Sequence, residues 1–218
     1  MTIEILSLIL KILAMIAVSY LLGAIPTGFI IGKLTKKIDV REFGSGNVGA
    51  TNVFRVLGII PGIITLIIDI AKGLICASII ASFFHRGCSD QFYNLFQIIA
   101  GTSSIVGHNW TIFLDFKGGK GVATSTGVFL AIAPISILLC VAVWGISALI
   151  TRYVSLSSII AAISLPIFIC VFNFRIGNLV FGIVAAVFVV IRHKGNIERL
   201  LHGTENKIGK KVKNLHKT

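Results

Sequence analysis

Three short segments of the 218-residue chain combine closely spaced glycines, hydroxyl or amide side chains and basic residues, the set of groups that holds an anion. The first reads Gly44-Ser45-Gly46-Asn47-Val48-Gly49-Ala50-Thr51-Asn52, with Arg55 one helical turn on. Its glycines let backbone N–H groups come close to phosphate oxygens, Ser45, Asn47, Thr51 and Asn52 add polar side chains, and a helix is expected to begin directly after them. The second reads Gly107-His108-Asn109-Trp110, then Phe116-Lys117-Gly118-Gly119-Lys120-Gly121-Val122-Ala123-Thr124. Lys117 and Lys120 supply point charges among exposed amides at the start of an uncharged helix, a second place for a phosphate. The third reads His193-Lys194-Gly195-Asn196-Ile197-Glu198-Arg199-Leu200, then Gly203-Thr204-Glu205. His193, Asn196 and Leu200 recur at helical spacing and are expected on one face of a helix leaving the bilayer.

Each segment also has a plainer reading. Gly44 to Gly49 has the G-x-G-x-x-G spacing of a dinucleotide fingerprint, but that motif needs a buried strand before it and a βαβ unit around it, and Lys36 to Glu42 is polar and charged. Taken alone the segment reads equally as a capped helix connector. Phe116 to Gly121 is not a Walker A loop, because Gly121 stands where Ser or Thr must follow Lys120, so nucleotide triphosphate binding is unsupported. Positive-inside anchoring explains the two lysines but not the glycines. His85-Arg86-Gly87-Cys88-Ser89-Asp90 has the H-x-x-x-x-D spacing of an acyltransferase class, yet falls on a short turn without phosphate-binding company; it is assigned no function. Cys76, Cys88, Cys140 and Cys170 have no paired spacing and point to neither a disulfide framework nor a metal site.

The elements that must position these segments are membrane helices. Apolar residues make up 56% of the chain against 13% charged, and the mean hydropathy is +0.97, a balance that excludes a water-soluble core. Apolar stretches run over 12–32, 56–84, 92–106, 122–150, 153–174 and 176–191, and the first is expected to be a retained helix rather than a cleaved leader. Most of the net charge of +12 falls in the three basic stretches that contain these segments, Lys33 to Asn52, Gly107 to Gly121 and Arg192 to the end, which the positive-inside rule places together in the cytoplasm. An even number of crossings must then separate the second from the third, and splitting 122–150 at Pro134 supplies it. The expectation is an all-α integral membrane protein with about seven transmembrane helical elements, N-terminus outside and C-terminus cytoplasmic; five spans plus a re-entrant hairpin is the alternative. Residues 1–206 form a single polytopic domain and 207–218 a basic tail drawn to anionic lipid. Asp69 and Lys72, one turn apart inside a span, read as a structural ion pair.

In order and separation, Ser-Gly-Asn-x-Gly-Ala-Thr-Asn, Gly-His with Phe-Lys-Gly-Gly-Lys-Gly-Val-Ala-Thr, and His-x-x-Asn-Ile-x-Arg-Leu-x-x-Gly-x-Glu resemble the three motifs of the PlsY family of bacterial acyl-phosphate:glycerol-3-phosphate acyltransferases. The resemblance covers nearly the whole chain. It implies transfer of a fatty acyl group from acyl phosphate to the sn-1 hydroxyl of glycerol 3-phosphate, giving lysophosphatidic acid and phosphate, with no cofactor and no metal. The implied setting is the bacterial inner membrane, multi-pass, with the active site facing the cytoplasm and with the phosphate acyltransferase that makes acyl phosphate as a partner. On this pattern Ser45, Gly46, Asn47 and Gly49 cradle one phosphate, Arg55, Lys120 and Asn196 hold the other with Lys117 nearby, and His193 lies close to the reacting hydroxyl. Ser158, in a segment that resembles a further family motif, adds a polar contact. The family pattern after Gly107-His108 is departed from at Asn109-Trp110-Thr111, where Trp110 is expected to anchor at the interface. The competing reading is a small multipass transporter of an organic phosphate or other anion, against which stand the absence of internal repeats and the concentration of polar residues at one face. Nucleic acid is not expected, since the basic tail carries no interleaved aromatics.

Overall fold

The computed structural model describes residues 2–209, and among these there is no strand. The helices are α1 (Thr2–Ala24), α2 (Thr27–Lys36), α3 (Ala50–Leu57), α4 (Ile59–Ile75), α5 (Ala81–His85), α6 (Tyr93–Asn109), α7 (Val122–Ile132), α8 (Pro134–Thr151), α9 (Val154–Phe172), α10 (Ile176–Arg192) and α11 (Lys194–Leu201). A π-helical turn, Cys76–Ile80, joins α4 to α5, and single 3₁₀ turns occur at Val40–Glu42, Asp90–Phe92 and Ile112–Leu114. The basic tail beyond residue 209 lies outside the described residues.

Four stretches are long and apolar enough to cross a membrane, Glu4–Lys36, Ile59–His85, Pro134–Thr151 and Val154–Phe172; a fifth is obtained if α10 and α11 count as one span bent by 57°. Their outward faces carry residues such as Ile67, Ile163 and Val184, each more than half exposed. Such surface would drive aggregation in water but is the natural outer face of a protein dissolved in lipid. The chain is a multi-pass, all-helical membrane protein.

Two prolines set helix boundaries. The stretch 12–32, expected as one helix, is interrupted because Pro26 has no N–H to give to the preceding turn. Ile25 N instead donates to Leu22 O at 3.4 Å, and Pro26 O accepts from Ile30 N at 3.0 Å to start α2. The stretch 122–150 is divided at Pro134, as its length demanded. Pro134 opens α8 at the first position, where a missing N–H leaves nothing unsatisfied. The resulting α7 has 11 residues, roughly 16 Å at 1.5 Å per residue, well short of a bilayer core.

By their contacts the helices fall into two compact units, Met1–Ile25 with Asp69–Pro134, and Pro26–Ile68 with Ile135–Thr218. Each is made from two separate stretches, so no single cut divides the chain. In the first unit, glycines bring backbones together. A Cβ at Gly23 of α1 would strike the Ser104 carbonyl oxygen, and one at Gly107 of α6 would strike that of Tyr20. Likewise Gly73 of α4 lies against Thr124 O, and Gly127 of α7 against Ile70 O. Lipid gives apolar helices no reason to associate, so this close approach and the dispersion it permits carry the packing. Met15, Ala81, Phe96 and Ala100 form the core between α1, α5 and α6.

In the second unit α2 lies on the first glycine segment, since a Cβ at Gly28 would meet Val48 O and one at Gly32 would come within 2.7 Å of Val40 Cγ1. Gly182 of α10 faces Ile169 of α9 in the same way. Ser136 donates from N (3.2 Å) and Oγ (2.8 Å) to Asn173 Oδ1, tying the start of α8 to the end of α9.

Candidate active site

The first glycine segment is a folded loop, and Asn52 is what folds it. From the first turn of α3, with only 1% of its surface exposed, Asn52 donates through Nδ2 to Val40 O (2.9 Å) and Phe43 O (3.1 Å) and accepts at Oδ1 from Ser45 N (2.8 Å) and Ser45 Oγ (3.2 Å). Gly44 (φ 64°) and Gly46 (φ 71°) occupy left-handed backbone between these anchors, and a Cβ on Gly44 would collide with Asn52 Oδ1. Asn47 Oδ1 accepts from Gly49 N at 2.8 Å, which closes the turn onto the start of α3. Ser45 and Gly46 stay exposed. Asn52 is therefore the brace of the loop, a role that residue type and spacing alone did not reveal.

Arg41, one of the basic residues ahead of this loop, is committed elsewhere. Its guanidinium grips Asp39 through Nε and Nη2, with the shortest contact at 2.7 Å, and lies 5.3 Å from the Phe29 ring centroid. The Arg41 hydrogen bond, against a smaller opposing effect of burial, holds the Asp39 carboxyl below the usual carboxylate range.

The third segment is bent where one straight helix was expected. α10 ends at Arg192, the axis turns by 57°, and α11 starts at Lys194 with His193 at the corner. Its backbone carbonyl accepts from Asn196 N (2.8 Å) and Ile197 N (2.9 Å), so His193 serves as the cap of α11. His193 is buried, and its Nδ1 lies 2.7 Å from Val189 O. A carbonyl oxygen can only accept, so Nδ1 carries the proton, and in the neutral ring Nε2 is the acceptor.

Around α11 the side chains converge on Glu205. Its Oε1 accepts from Asn196 Nδ2 (2.7 Å) and Ser155 Oγ (2.9 Å), and its Oε2 from Arg199 Nε (2.7 Å). Burial pushes the Glu205 carboxyl up, but the three hydrogen bonds from Asn196, Arg199 and Ser155 outweigh it, and the group titrates below its ordinary value. Arg55, half-buried on α3 in the same unit, feels this cluster. Burial pushes its guanidinium down, the Glu205 charge pushes it back up, and the like charge of Arg199 lowers it again. Its ordinary value is so far above neutrality that it remains a cation.

This unit thus brings Arg55, Asn196, Arg199, Ser155 and Glu205 into one electrostatic network and builds the Ser45–Gly49 loop beside α3. Ser158 is not in that network. One turn beyond Ser155, its hydroxyl donates to Val154 O (2.9 Å) and accepts from Trp144 Nε1 (3.2 Å). Glu205 was read from the sequence only as the end of the third motif and Ser155 only as part of its segment, neither with a role of its own. The available signal was an acid, one of only eight, sitting in the most basic stretch of the chain.

The lysine loop belongs to the other unit and is laid on the end of α6. Gly118 N donates to Asn109 O (3.1 Å), Gly119 N to His108 O (3.0 Å), and Lys117 N to Leu114 O (2.9 Å). Gly121 (φ 81°) precedes α7 in left-handed backbone, where a Cβ would come within 2.7 Å of Asn109 Nδ2. Lys117 is exposed and Lys120 half-buried. Trp110 is 38% exposed, and its carbonyl accepts from the Tyr20 hydroxyl at 2.8 Å, so the turn after Gly107-His108 is fastened to α1. In the His85–Asp90 turn the His85 Nε2 sits 2.9 Å from Ser89 O and the ring packs edge-on to Tyr93 and Phe96, in keeping with a structural turn. Among the described residues no group of three or more His, Cys, Asp or Glu has the geometry to hold a metal ion.

Against known proteins, residues 13–203 match the family described as glycerol-3-phosphate acyltransferase. A glycerol-3-phosphate acyltransferase of Chlorobaculum tepidum is 42% identical over 225 residues, covering 91% of this chain and 97% of its own length, and one from Chlorobium phaeobacteroides is 39% identical over 228 residues with the same coverage. A crystal structure of PlsY, an integral membrane glycerol 3-phosphate acyltransferase, in its glycerol 3-phosphate form superposes with a TM-score of 0.81 at 40% identity, over 91% of this chain and 96% of that one. The lysophosphatidic acid form gives 0.79 at 39% identity over the same shares.

Proposed function

The chain belongs to the glycerol-3-phosphate acyltransferase family, and from that premise we propose the reaction in full: an acyl group passes from acyl phosphate to the sn-1 hydroxyl of glycerol 3-phosphate, giving lysophosphatidic acid and inorganic phosphate. The observation that carries the site assignment is the Glu205 network, which holds Asn196 and Arg199 beside the Arg55 cation in the unit that also contains the Ser45–Gly49 loop. Membership of an acyltransferase family leaves the transporter reading without support.

Acyl phosphate is a mixed anhydride whose leaving group departs readily, so the site needs little activation of the nucleophile. What it must overcome is the repulsion of two phosphates and the entropy of aligning a hydroxyl with a carbonyl carbon. Ser45, Gly46, Asn47 and Gly49 cradle one phosphate with amides and a hydroxyl that Asn52 holds in place. Arg55 and Asn196 hold the other. Lys117 and Lys120 supply cationic groups for substrate phosphate from the second glycine loop. Ser158, whose hydroxyl accepts from Trp144 Nε1, adds a polar contact, and Ser155, one turn away, joins the Glu205 network.

In the step itself the sn-1 oxygen forms a bond to the acyl carbon and the bond from that carbon to the bridging phosphate oxygen breaks. The leaving phosphate takes the hydroxyl proton, and His193, with Nδ1 tied to Val189 O, presents Nε2 to orient the hydroxyl and is the alternative base. No covalent enzyme intermediate is required.

In the bacterial inner membrane we place the N-terminus outside, the C-terminus inside and the glycine segments in the cytoplasm, with about seven membrane-embedded helical elements or, since α7 is short of a bilayer core, five spans plus a re-entrant hairpin. The phosphate acyltransferase that makes acyl phosphate is the natural partner.

Purified protein in detergent, supplied with acyl phosphate and glycerol 3-phosphate, is expected to release phosphate and lysophosphatidic acid in equal amounts, without sealed vesicles. Product formed only from an acyl thioester would refute the donor. Cysteine labelling at positions 47, 120 and 196 in intact cells tests the topology; reaction of any of the three with an impermeant reagent from outside refutes it.

A further inference from the structure

Inside the first unit, three titratable groups with no part in the proposed reaction are buried together. Asp69, Lys72 and His108 are each less than a tenth exposed. Lys72 Nζ lies 2.9 Å from Asp69 Oδ1 and donates to Ile25 O at 3.2 Å, and His108 Nδ1 lies 3.7 Å from that same Asp69 oxygen. An acid and a base one turn apart on α4 already answer each other's charge, and a purely structural pair needs no third member.

His108 explains why a third member is there. Its carbonyl accepts from Gly119 N, and the next carbonyl, of Asn109, accepts from Gly118 N. A Cβ on Gly118 would strike His108 O, and one on Gly119 would strike the His108 ring at Nε2. Gly119 therefore rests on the imidazole and Gly118 on its backbone, and Lys120 is the next residue along. A shift of the ring moves the surface on which the loop is laid.

We infer that Asp69 and Lys72 are positioning residues for the lysine loop: Lys72 fixes the Asp69 carboxylate, the carboxylate fixes the His108 ring, and the ring sets where Lys120 stands. The inference rests on the reading of Lys120 as a phosphate-holding residue and extends it to groups that never touch substrate. It also gives a reason for carrying a buried carboxylate and ammonium in a membrane helix, where either alone is costly.

The test uses the full-length protein in detergent and the doubly neutral variant Asp69→Asn with Lys72→Met, which leaves no unpaired charge. Thermal midpoint, kcat and KM for both phosphate substrates are measured for this variant, for Lys120→Ala, and for the combination. The expected result is a midpoint near wild type, kcat within about threefold, and a KM raised at least tenfold for the same substrate whose KM Lys120→Ala raises. With Lys120 already removed, the double neutral change should add less than a twofold effect, because the loop no longer delivers anything. Wild-type KM values in the double neutral variant, or a full tenfold loss on top of Lys120→Ala, overturn the inference while leaving the reading of Lys120 intact. An unaffected Lys120→Ala protein overturns that reading and this inference with it. Should the double variant not accumulate, His108→Gln keeps the ion pair and removes the ring; the same rise in KM is expected, and unchanged kinetics refute the chain of contacts.

Discussion

Glu205 is where stability and function meet most directly, and two substitutions there separate them. In Glu205→Gln one carboxylate oxygen becomes an NH2 group that cannot accept. If the amide oxygen keeps the Oε1 position, the bonds from Asn196 (2.7 Å) and Ser155 (2.9 Å) survive and the NH2 faces Arg199 Nε; in the opposite orientation two bonds are lost instead of one. The first arrangement is cheaper, so the loss is one charge-assisted bond, worth about 1.5–3 kcal/mol, reduced to about 1–2 because the Arg199 side chain is 42% exposed. In Glu205→Ala all three donors lose this acceptor, the buried Asn196 among them. Taking the shared acceptor from this part-buried cluster costs about 2–4 kcal/mol. The thermal midpoint in detergent should therefore fall in the order wild type, Gln, Ala. The kcat/KM should fall modestly for Gln and at least tenfold for Ala, since only Ala takes this acceptor from Asn196. An alanine variant with the activity and midpoint of wild type would refute the assignment of Glu205 as the anchor of α11.

The same carboxylate predicts a pH dependence. Its folded pKa is depressed, so its contribution is fully present above the unfolded carboxylate value of about 4.3 and drains away as pH falls through the folded value; the midpoint gap between wild type and Glu205→Gln should close on acidification, and a constant gap contradicts the network. Asn52→Ala takes the amide away from Val40 O, Phe43 O and Ser45 N and should cost about 2–4 kcal/mol along with most activity, whereas Asn47→Ala loses one part-buried turn bond and should cost about 1 kcal/mol, an order that thermal melts check, while kcat/KM falls in both variants. His193→Ala should lower turnover while leaving expression intact, and an undiminished rate removes His193 from the mechanism. Gly118→Ala drives a Cβ into His108 O and should destabilise by about 1–3 kcal/mol, with a KM defect like that of Lys120→Ala.

Composition and charge made the membrane class legible, because an apolar excess of this size has one physical outlet. Pro134 was legible too, since a missing N–H and an over-long apolar run point to the same break. Pro26 was overlooked because the stretch it interrupts had an acceptable length without it. The glycine segments stood out as candidate anion loops through residue type, and the loop geometry inside them did not follow from type. Asn47 and Asn52 are chemically identical and five residues apart; one closes a part-buried turn and the other is a fully buried brace, a difference set by where Val40 and Phe43 return in space. Ser155 and Ser158 differ by one turn of α9, and only the return of the chain to Glu205 decides which joins the network.

The two ionic clusters handle charge in opposite ways, and the contrast supports the proposal that Arg55 and Asn196 hold a phosphate. Asp69 and Lys72 neutralise each other at 2.9 Å within one helix, so neither has unspent attraction for an outside ion. In the other unit two arginines, Arg55 and Arg199, face the single carboxylate of Glu205. One acid cannot neutralise two guanidiniums, and the residue is positive charge held in fixed geometry by neutral donors. An anion arriving there meets attraction that needs no reorganisation of the protein, which is the condition for stabilising a phosphate leaving group as its charge develops. A second acid introduced by Ser155→Asp should therefore abolish turnover through repulsion at Glu205 and neutralisation of the excess charge, while Ser155→Ala, which removes one hydrogen bond and no charge, should retain a measurable rate. Equal activity in the two would refute the electrostatic argument.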